Sequence, residues 1–274
     1  MNGWQPAPAL QRAVLFVNPR SGEGKAERAR LAEHARARGI EVVVLSGGDL
    51  AARARDAVAA GADGLGVAGG DGSRAAVATA ARDHGLPFVC IPAGTRNHFA
   101  ADVGVGRRDI VSALDAFGEA LERRIDVGEV NGRLFLNNVS VGVYGEAVRR
   151  AGYRDARLRT LLETAARGAS KTPDVRVADD DGVEHRGPAV VLVSNNPYAV
   201  DRPRRPALDG GRLGVLVLDG RPGARPRSWT AESLRIEAAG PVHAGMDGEA
   251  VELEPPLALV TRPLALRVRI ARGS

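Results

Sequence analysis

The chain has 274 residues, 44% of them hydrophobic and 26% charged, with a formal net charge of +5. That is an ordinary globular balance, long enough for one large domain or two modest ones. One cysteine, Cys90, excludes an intramolecular disulfide; with only five histidines a zinc cluster is disfavoured, and 4% aromatic content gives nucleic acid few stacking platforms.

Residues 1 to 11 hold no basic stretch leading into an apolar one, and no apolar run approaches the roughly 18 residues of a spanning helix. The expectation is a cytoplasmic protein, peripheral wherever it meets a membrane. The first half alternates regularly. Ala13 to Val17 reads as a strand, followed by a helical stretch from about Lys25 to Arg38 closed by Gly39. Glu41 to Leu45 is a second strand and Leu50 to Ala60 a second helix. Leu65 to Ala68 is a third strand, then a glycine-rich turn, then a helix from about Arg74 to His84 stopped by Gly85. Pro87 to Ile91 is a fourth strand, with Cys90 inside it. Strands separated by single helices predict βαβ units and a parallel sheet.

After about Ile125 the pattern changes to short strand-like runs: Leu134 to Leu136, Val175 to Val177, Val190 to Val193, Leu213 to Leu218, Leu234 to Ile236, Val251 to Leu253 and Leu264 to Ile270. Turn-forming clusters separate them, which predicts a mostly antiparallel β-rich domain. One helical insert stands out at about Asp155 to Arg167, with Arg154, Arg157, Arg159 and Arg167 around a leucine stripe. It reads as a helix packed by its apolar face or as a basic helix lying on an anionic bilayer. Arg202 to Pro206 reads as a loop. The expected fold is therefore α/β, with an N-terminal domain over residues 1–125 and a C-terminal β-rich domain over 126–274.

Three loops can carry chemistry. Ala68-Gly69-Gly70-Asp71-Gly72-Ser73 lies at a strand end just before a helix. Its three glycines let backbone amides approach an anion closely, and the helix start adds free N–H groups and partial positive charge. Ser73 is a candidate N-cap or phosphate donor; Asp71 orders the loop or acts through Mg²⁺. Ile91 to Asn97 follows the fourth strand and offers Thr95 and Asn97 beside Gly94. Asn18 to Lys25 follows the first strand, but its order departs from a P-loop. Together they predict one shared crevice at strand carboxyl ends.

In this order, Asn18-Pro19-x-Ser21-Gly22, Gly69-Gly70-Asp71-Gly72-Ser73 and Pro92-x-Gly94-Thr95-x-Asn97-x-Phe99 resemble the diacylglycerol kinase catalytic-domain family, which includes sphingosine, ceramide and bacterial lipid kinases. The resemblance continues through Arg124 to Gly128, Phe135-Leu136-Asn137-Asn138-x-Ser140-x-Gly142 and Met246-Asp247-Gly248-Glu249. It implies a nucleotide-binding N-terminal domain, a lipid-accepting C-terminal domain and an active site in the cleft between them. It implies ATP and Mg²⁺ as cofactors and a lipid at a membrane surface as acceptor, with a homodimer as the assembly to consider. Asn18, Ser21, Gly69, Gly70, Asp71, Gly72, Ser73, Thr95, Asn97 and Glu249 become candidate nucleotide contacts. Asp247 becomes the candidate general base, with Asp71 beside it in the catalytic set. Read alone, Asp247-Gly248 is an ordinary hairpin turn.

The chain departs from the family pattern in places. Ser73 stands for Thr, Ala75 and Ala76 occupy a region that often holds an acid, and His98 stands for Asp. Near a second metal site Gly210 stands where Asp is expected, with Asp209 one residue earlier as the candidate ligand. These departures motivate an alternative, a non-catalytic nucleotide- or lipid-binding relative. An NAD kinase shares the Gly-Gly-Asp-Gly turn but would carry a Thr-Pro-Thr-Gly-Ser-type segment, which is absent. Phosphofructokinases share the turn and nothing else found here.

Overall fold

The structure is a computed structural model that describes residues 3–95, 97–106, 110–142, 175–197, 207–219 and 225–273. The insert at 155–167 with its arginines, and the 202–206 loop, lie outside the described residues. The chain forms two compact units, residues 1–125 with 264–274, and residues 126–263.

The first unit is built on a parallel sheet of β2 (Ala13–Val17), β3 (Glu41–Val44), β4 (Gly64–Ala68) and β5 (Pro87–Ile91) in the order β5-β4-β2-β3. A short strand β1 (Gln5–Ala7) pairs antiparallel with the start of β6 (Ala120–Val130). Every residue of β2, β4 and β5 is buried. Continuous apolar runs of this kind are what a sheet covered on both faces needs. The edge strand β3 is only partly buried.

The helices sit where the spacing placed them, with two differences. The stretch 25–38 is not one helix: α1 (Lys25–Arg28) and α2 (Leu31–Ala37) are separated by Arg30, which is left-handed at φ +48°. Asp49 caps α3 (Leu50–Ala59), its Oδ1 accepting from Ala51 and Ala52 N–H at 2.9 and 3.2 Å. The second difference is α4 (Asp71–Asp83), which begins three residues before the expected Arg74 and has Gly70 as N-cap. Ser73 therefore lies inside the first turn and is not the cap. A short α5 (His98–Asp102) follows β5.

In the second unit the remaining strands are β7 (Arg133–Phe135), β8 (Asn138–Gly142), β9 (Arg176–Asp179), β10 (Glu184–Arg186), β11 (Pro188–Asn195), β12 (Leu213–Asp219), β13 (Arg227–Ala231), β14 (Ser233–Glu237), β15 (Val242–Met246), β16 (Glu249–Leu253) and β17 (Leu257–Ala271). One sheet runs β13-β12-β11-β8-β15-β16, antiparallel throughout. A second group pairs β10, β9, β14 and the first part of β17, again antiparallel. Val139, Val191, Val193 and Val215 of the first sheet meet Val177, Ile236, Leu257 and Leu259 of the second in one buried core. Alternate residues of each strand face that core, as period-2 patterning requires.

The 264–270 run ends elsewhere than the second unit, where the sequence grouped it. The last part of β17 pairs in parallel with β5, Arg267 opposite Pro87 and Arg269 opposite Val89, and so completes the first unit's sheet. Leu266, Val268 and Ile270 are buried there.

Cys90 lies within β5 and is 1% exposed. Burial pushes its thiol from the ordinary 9.0 up to about 11. The raised value means that the stability gained by keeping the thiol neutral is complete below pH 9.0 and lost as pH rises through about 11. Folded protein at about pH 8 is expected to resist a disulfide reagent that labels Cys90 at once in denaturant. The stability difference between wild type and Cys90→Ala, followed by chemical unfolding, is expected to shift against wild type between these two pH values; a pH-independent difference would contradict the assignment.

Candidate phosphate-loop site and the Asp247 turn

The three candidate loops leave β2, β4 and β5 at their carboxyl ends, and the structure brings them together. Asn18 N–H donates to Ala68 O at 2.8 Å, and Asn18 Oδ1 accepts from Arg20 N–H at 3.1 Å. Ser21 Oγ accepts the Gly70 N–H at 3.1 Å. Lys25 Nζ donates to Pro92 O at 3.1 Å, and burial lowers its pKa from the ordinary ammonium value. The first loop is thus bonded to the other two.

Asn97, left-handed at φ +49°, is 4% exposed. Its Nδ2 donates to Pro92 O at 3.0 Å and Gly94 O at 2.6 Å, and its Oδ1 accepts from Gly94 N–H at 2.9 Å. Expected as a nucleotide contact, its side chain is committed to folding the 92–97 loop. Thr95, by contrast, is exposed.

Gly69 to Ser73 forms the passage from β4 into α4. A Cβ at Gly69 would meet Ser73 Cβ at 2.8 Å, so the turn is too tight for a larger residue. A Cβ at Gly70 would meet only Ser21 Oγ at 3.9 Å, so the space beside it is open. Asp71, Gly72 and Ser73 are half-buried in the first turn of α4, where helix N–H groups lack intrahelical partners. The dipole of this 13-residue helix favours an anion at that end. The donor set fits the phosphates of a nucleotide.

Arg74 carried no role in the sequence reading. It is 1% exposed and pairs with the Asp71 carboxylate, while its Nη2 donates to Gly69 O at 3.1 Å and Asn97 Oδ1 at 2.7 Å. The available signal was periodicity: Arg74, Val77, Ala78 and Ala81 share one helical face, and all four are buried.

In the second unit Asp247 and Gly248 form the turn between β15 and β16, both left-handed at φ +50° and +92°. Two positive φ values in a two-residue loop match a type I′ hairpin. The Asp247 carboxylate turns inward and is 5% exposed. Its Oδ2 accepts from Leu136 N–H at 2.7 Å, and its Oδ1 from Asn137 and Asn138 N–H at 2.7 and 3.1 Å. Glu249 begins β16 and is exposed.

Asp209 stands on an exposed turn. The Gly210 N–H of that turn donates to Asn196 Oδ1 at 3.1 Å, and the Gly211 N–H to Asp126 Oδ2 at 2.6 Å. Among the described residues no three His, Cys, Asp or Glu side chains are grouped so as to hold a metal ion. Mg²⁺ is commonly held by one or two carboxylates with water completing its shell, and Asp209 is an exposed carboxylate that fits such a site.

Gly22 fixes the closest approach of two loops. It is left-handed at φ +57°, and an added Cβ would lie 2.2 Å from Ala93 O. Gly22→Ala is expected to cost about 1–3 kcal/mol, because strain and clash act together, and to lower the midpoint of thermal unfolding. A midpoint equal to wild type would show that the loops separate freely.

Residues 12–130 match the model of the diacylglycerol kinase catalytic domain. A "probable lipid kinase YegS-like" protein of Pseudomonas aeruginosa PAO1 is 32% identical over 255 residues, covering 83% of this chain and 83% of that protein. The diacylglycerol kinase of Bacillus subtilis strain 168 is 30% identical over 188 residues, 65% of this chain and 61% of that one. The Mycobacterium tuberculosis H37Rv diacylglycerol kinase is 37% identical over 129 residues, 44% and 41% of the two chains. The chain thus spans only about two fifths to three fifths of the length of these two diacylglycerol kinases. Among solved structures, a diacylglycerol kinase from Bacillus anthracis Sterne shares the fold, with a TM-score of 0.74 at 20% identity over 97% of this chain and 99% of that one. The three loops after β2, β4 and β5 fall within the matched family segment, and the Pseudomonas relative, matched over 83% of both chains, shows that the chain belongs to the diacylglycerol kinase catalytic-domain family.

Proposed function

We propose that this chain is an ATP-dependent lipid kinase that moves the γ-phosphate of ATP onto a hydroxyl of a lipid such as diacylglycerol. The observation that carries the reading is the joining of three glycine-containing loops at the carboxyl ends of β2, β4 and β5. Parallel α/β sheets bind ligands at that end. Phosphoryl transfer asks the protein mainly for positioning and for compensation of charge. Relatives named diacylglycerol kinase and lipid kinase point the same way.

In this reading the start of α4 and the Gly69 to Ser73 turn receive the nucleotide phosphates, with the Ser73 hydroxyl as a further donor and Thr95 nearby in sequence on the third loop. ATP supplies the phosphoryl group, and Mg²⁺ arrives with it, held by phosphate oxygens and water. Asp247 is the proposed general base. Three amides pin its carboxylate and so hold a proton acceptor in a fixed direction for the lipid hydroxyl. The lipid is met at a membrane surface; among the described residues no helix is long and apolar enough to cross one. One observation favours a second reading, a non-catalytic nucleotide- or lipid-binding relative: the same three amides also suffice to make Asp247 a brace.

The test is transfer of labelled γ-phosphate from ATP to diacylglycerol, a sphingoid base and phosphatidylglycerol in mixed micelles, with Asp247→Asn in parallel. The amide keeps an Oδ1 for Asn137 and Asn138 and gives up the proton acceptor, so it separates base from brace better than alanine does. Labelled lipid is expected from the intact protein, about a hundredfold or more slower from the variant, with ATP binding retained. Transfer at the wild-type rate by folded Asp247→Asn removes Asp247 from the mechanism. A protein that binds ATP and labels no lipid takes the second reading.

A further inference from the structure

We propose that Arg74 is a positioning residue for the nucleotide phosphates: it locks the Gly69–Ser73 turn to the Pro92–Asn97 loop and compensates the charge of Asp71 where phosphate has to lie. The inference rests on the nucleotide site of the kinase reading and concerns a residue to which that reading gives no part.

A guanidinium is an expensive occupant of a buried helical stripe unless its N–H groups are used. Packing does not call for one, since the neighbouring stripe positions are Val77, Ala78 and Ala81. Arg74 is nonetheless 1% exposed, and each of its bonds goes to a part of the phosphate site. Nη1 meets the Asp71 carboxylate in the turn itself. Nη2 is shared between Gly69 O at 3.1 Å, on the same turn, and Asn97 Oδ1 at 2.7 Å, on the other loop. Asn97 passes the constraint on, through its bonds to Gly94 N–H, Gly94 O and Pro92 O. The guanidinium also lies against Gly94, where an added Cβ would stand 2.7 Å from Nη2. One planar fork therefore sets the spacing of two loops. Nε is buried with no hydrogen-bond partner among the described residues, which marks the side chain as placed for its two ends rather than for complete satisfaction.

Charge matters as much as geometry. Asp71 sits in the first turn of α4, the turn that would face the phosphates. An unpaired carboxylate there would repel them; paired with Arg74 it does not. Lysine would keep the positive charge but lacks the fork that reaches both loops.

The experiment is calorimetric titration of the full chain with ATP·Mg²⁺, for wild type, Arg74→Gln, Arg74→Lys and Arg74→Gln with Asp71→Asn, each checked for folding by thermal unfolding without nucleotide. Arg74→Gln is expected to weaken ATP binding on the order of tenfold to a hundredfold, a cost typical of misplaced binding groups. Arg74→Lys should fall between it and wild type. The double variant should recover part of the loss, because it removes the exposed carboxylate. A folded Arg74→Gln protein with wild-type affinity overturns the proposal. So does a loss that neither lysine nor Asp71→Asn repairs, since that is the mark of general destabilisation. Should Arg74→Gln fail to fold, Arg74→Lys decides: several-fold weaker binding supports the fork, and wild-type affinity overturns it. Wild-type protein that binds ATP but labels no lipid defeats the kinase reading and leaves this inference standing; wild-type protein that binds no ATP defeats both.

Discussion

An added Cβ at Gly22 would stand 2.2 Å from Ala93 O, and one at Gly94 would stand 3.0 Å from Gly69 O. The loops after β2, β4 and β5 therefore touch backbone to backbone, and this closeness governs the rest of the site. Peptide groups buried between loops are shut off from water and each needs a partner. Ser21, Lys25, Asn97 and Arg74 are the partners, and each bonds a peptide group on another loop or turns its own loop back on itself. Glycine permits the approach, and the polar side chains settle the account it creates. The open face that remains, beside Gly70 and the first turn of α4, is the place left for an anion.

The same reasoning explains Asp247. The Asp-Gly pair in a hairpin is fully accounted for by its backbone, since both residues need positive φ. That local account says nothing of the carboxylate, which crosses to the amides of residues 136–138, about 110 positions away in sequence. A turn residue and a candidate base are therefore not competing descriptions. The hairpin supplies the angle, and the distant amides supply the aim.

Much of this was legible. The fully buried runs β2, β4 and β5 read as strands because short, largely apolar runs bounded by breakers leave few alternatives. The phosphate loops were visible because glycine and polar residues gathered at strand ends. What escaped has physical reasons. Arg30 breaks a helix whose composition is uniformly helix-forming, so no propensity marks the break. The onset of α4 was hidden because glycines that look like loop are also able to form a first turn. Arg74 entered the sequence reading only as the start of a helix; its place on an apolar stripe is the one mark of its burial. The destination of residues 264–270 could not be read at all, because an apolar strand fits any sheet edge and only the tertiary structure selects β5.

That last strand sets an order of events for the chain as it is made. The first unit is begun by residues 1–125 and completed by 264–274, with the whole second unit in between. On the ribosome β5 emerges with one edge unpaired and keeps that edge until residues 267–269 have been synthesised. Domains commonly fold in sequence from the amino end; here the first unit cannot finish before the second has been made. An interrupted chain would hold the three phosphate loops on an incomplete sheet, with a bare parallel edge of the kind that seeks other chains. The first unit is thus completed only after the whole of the second has been made.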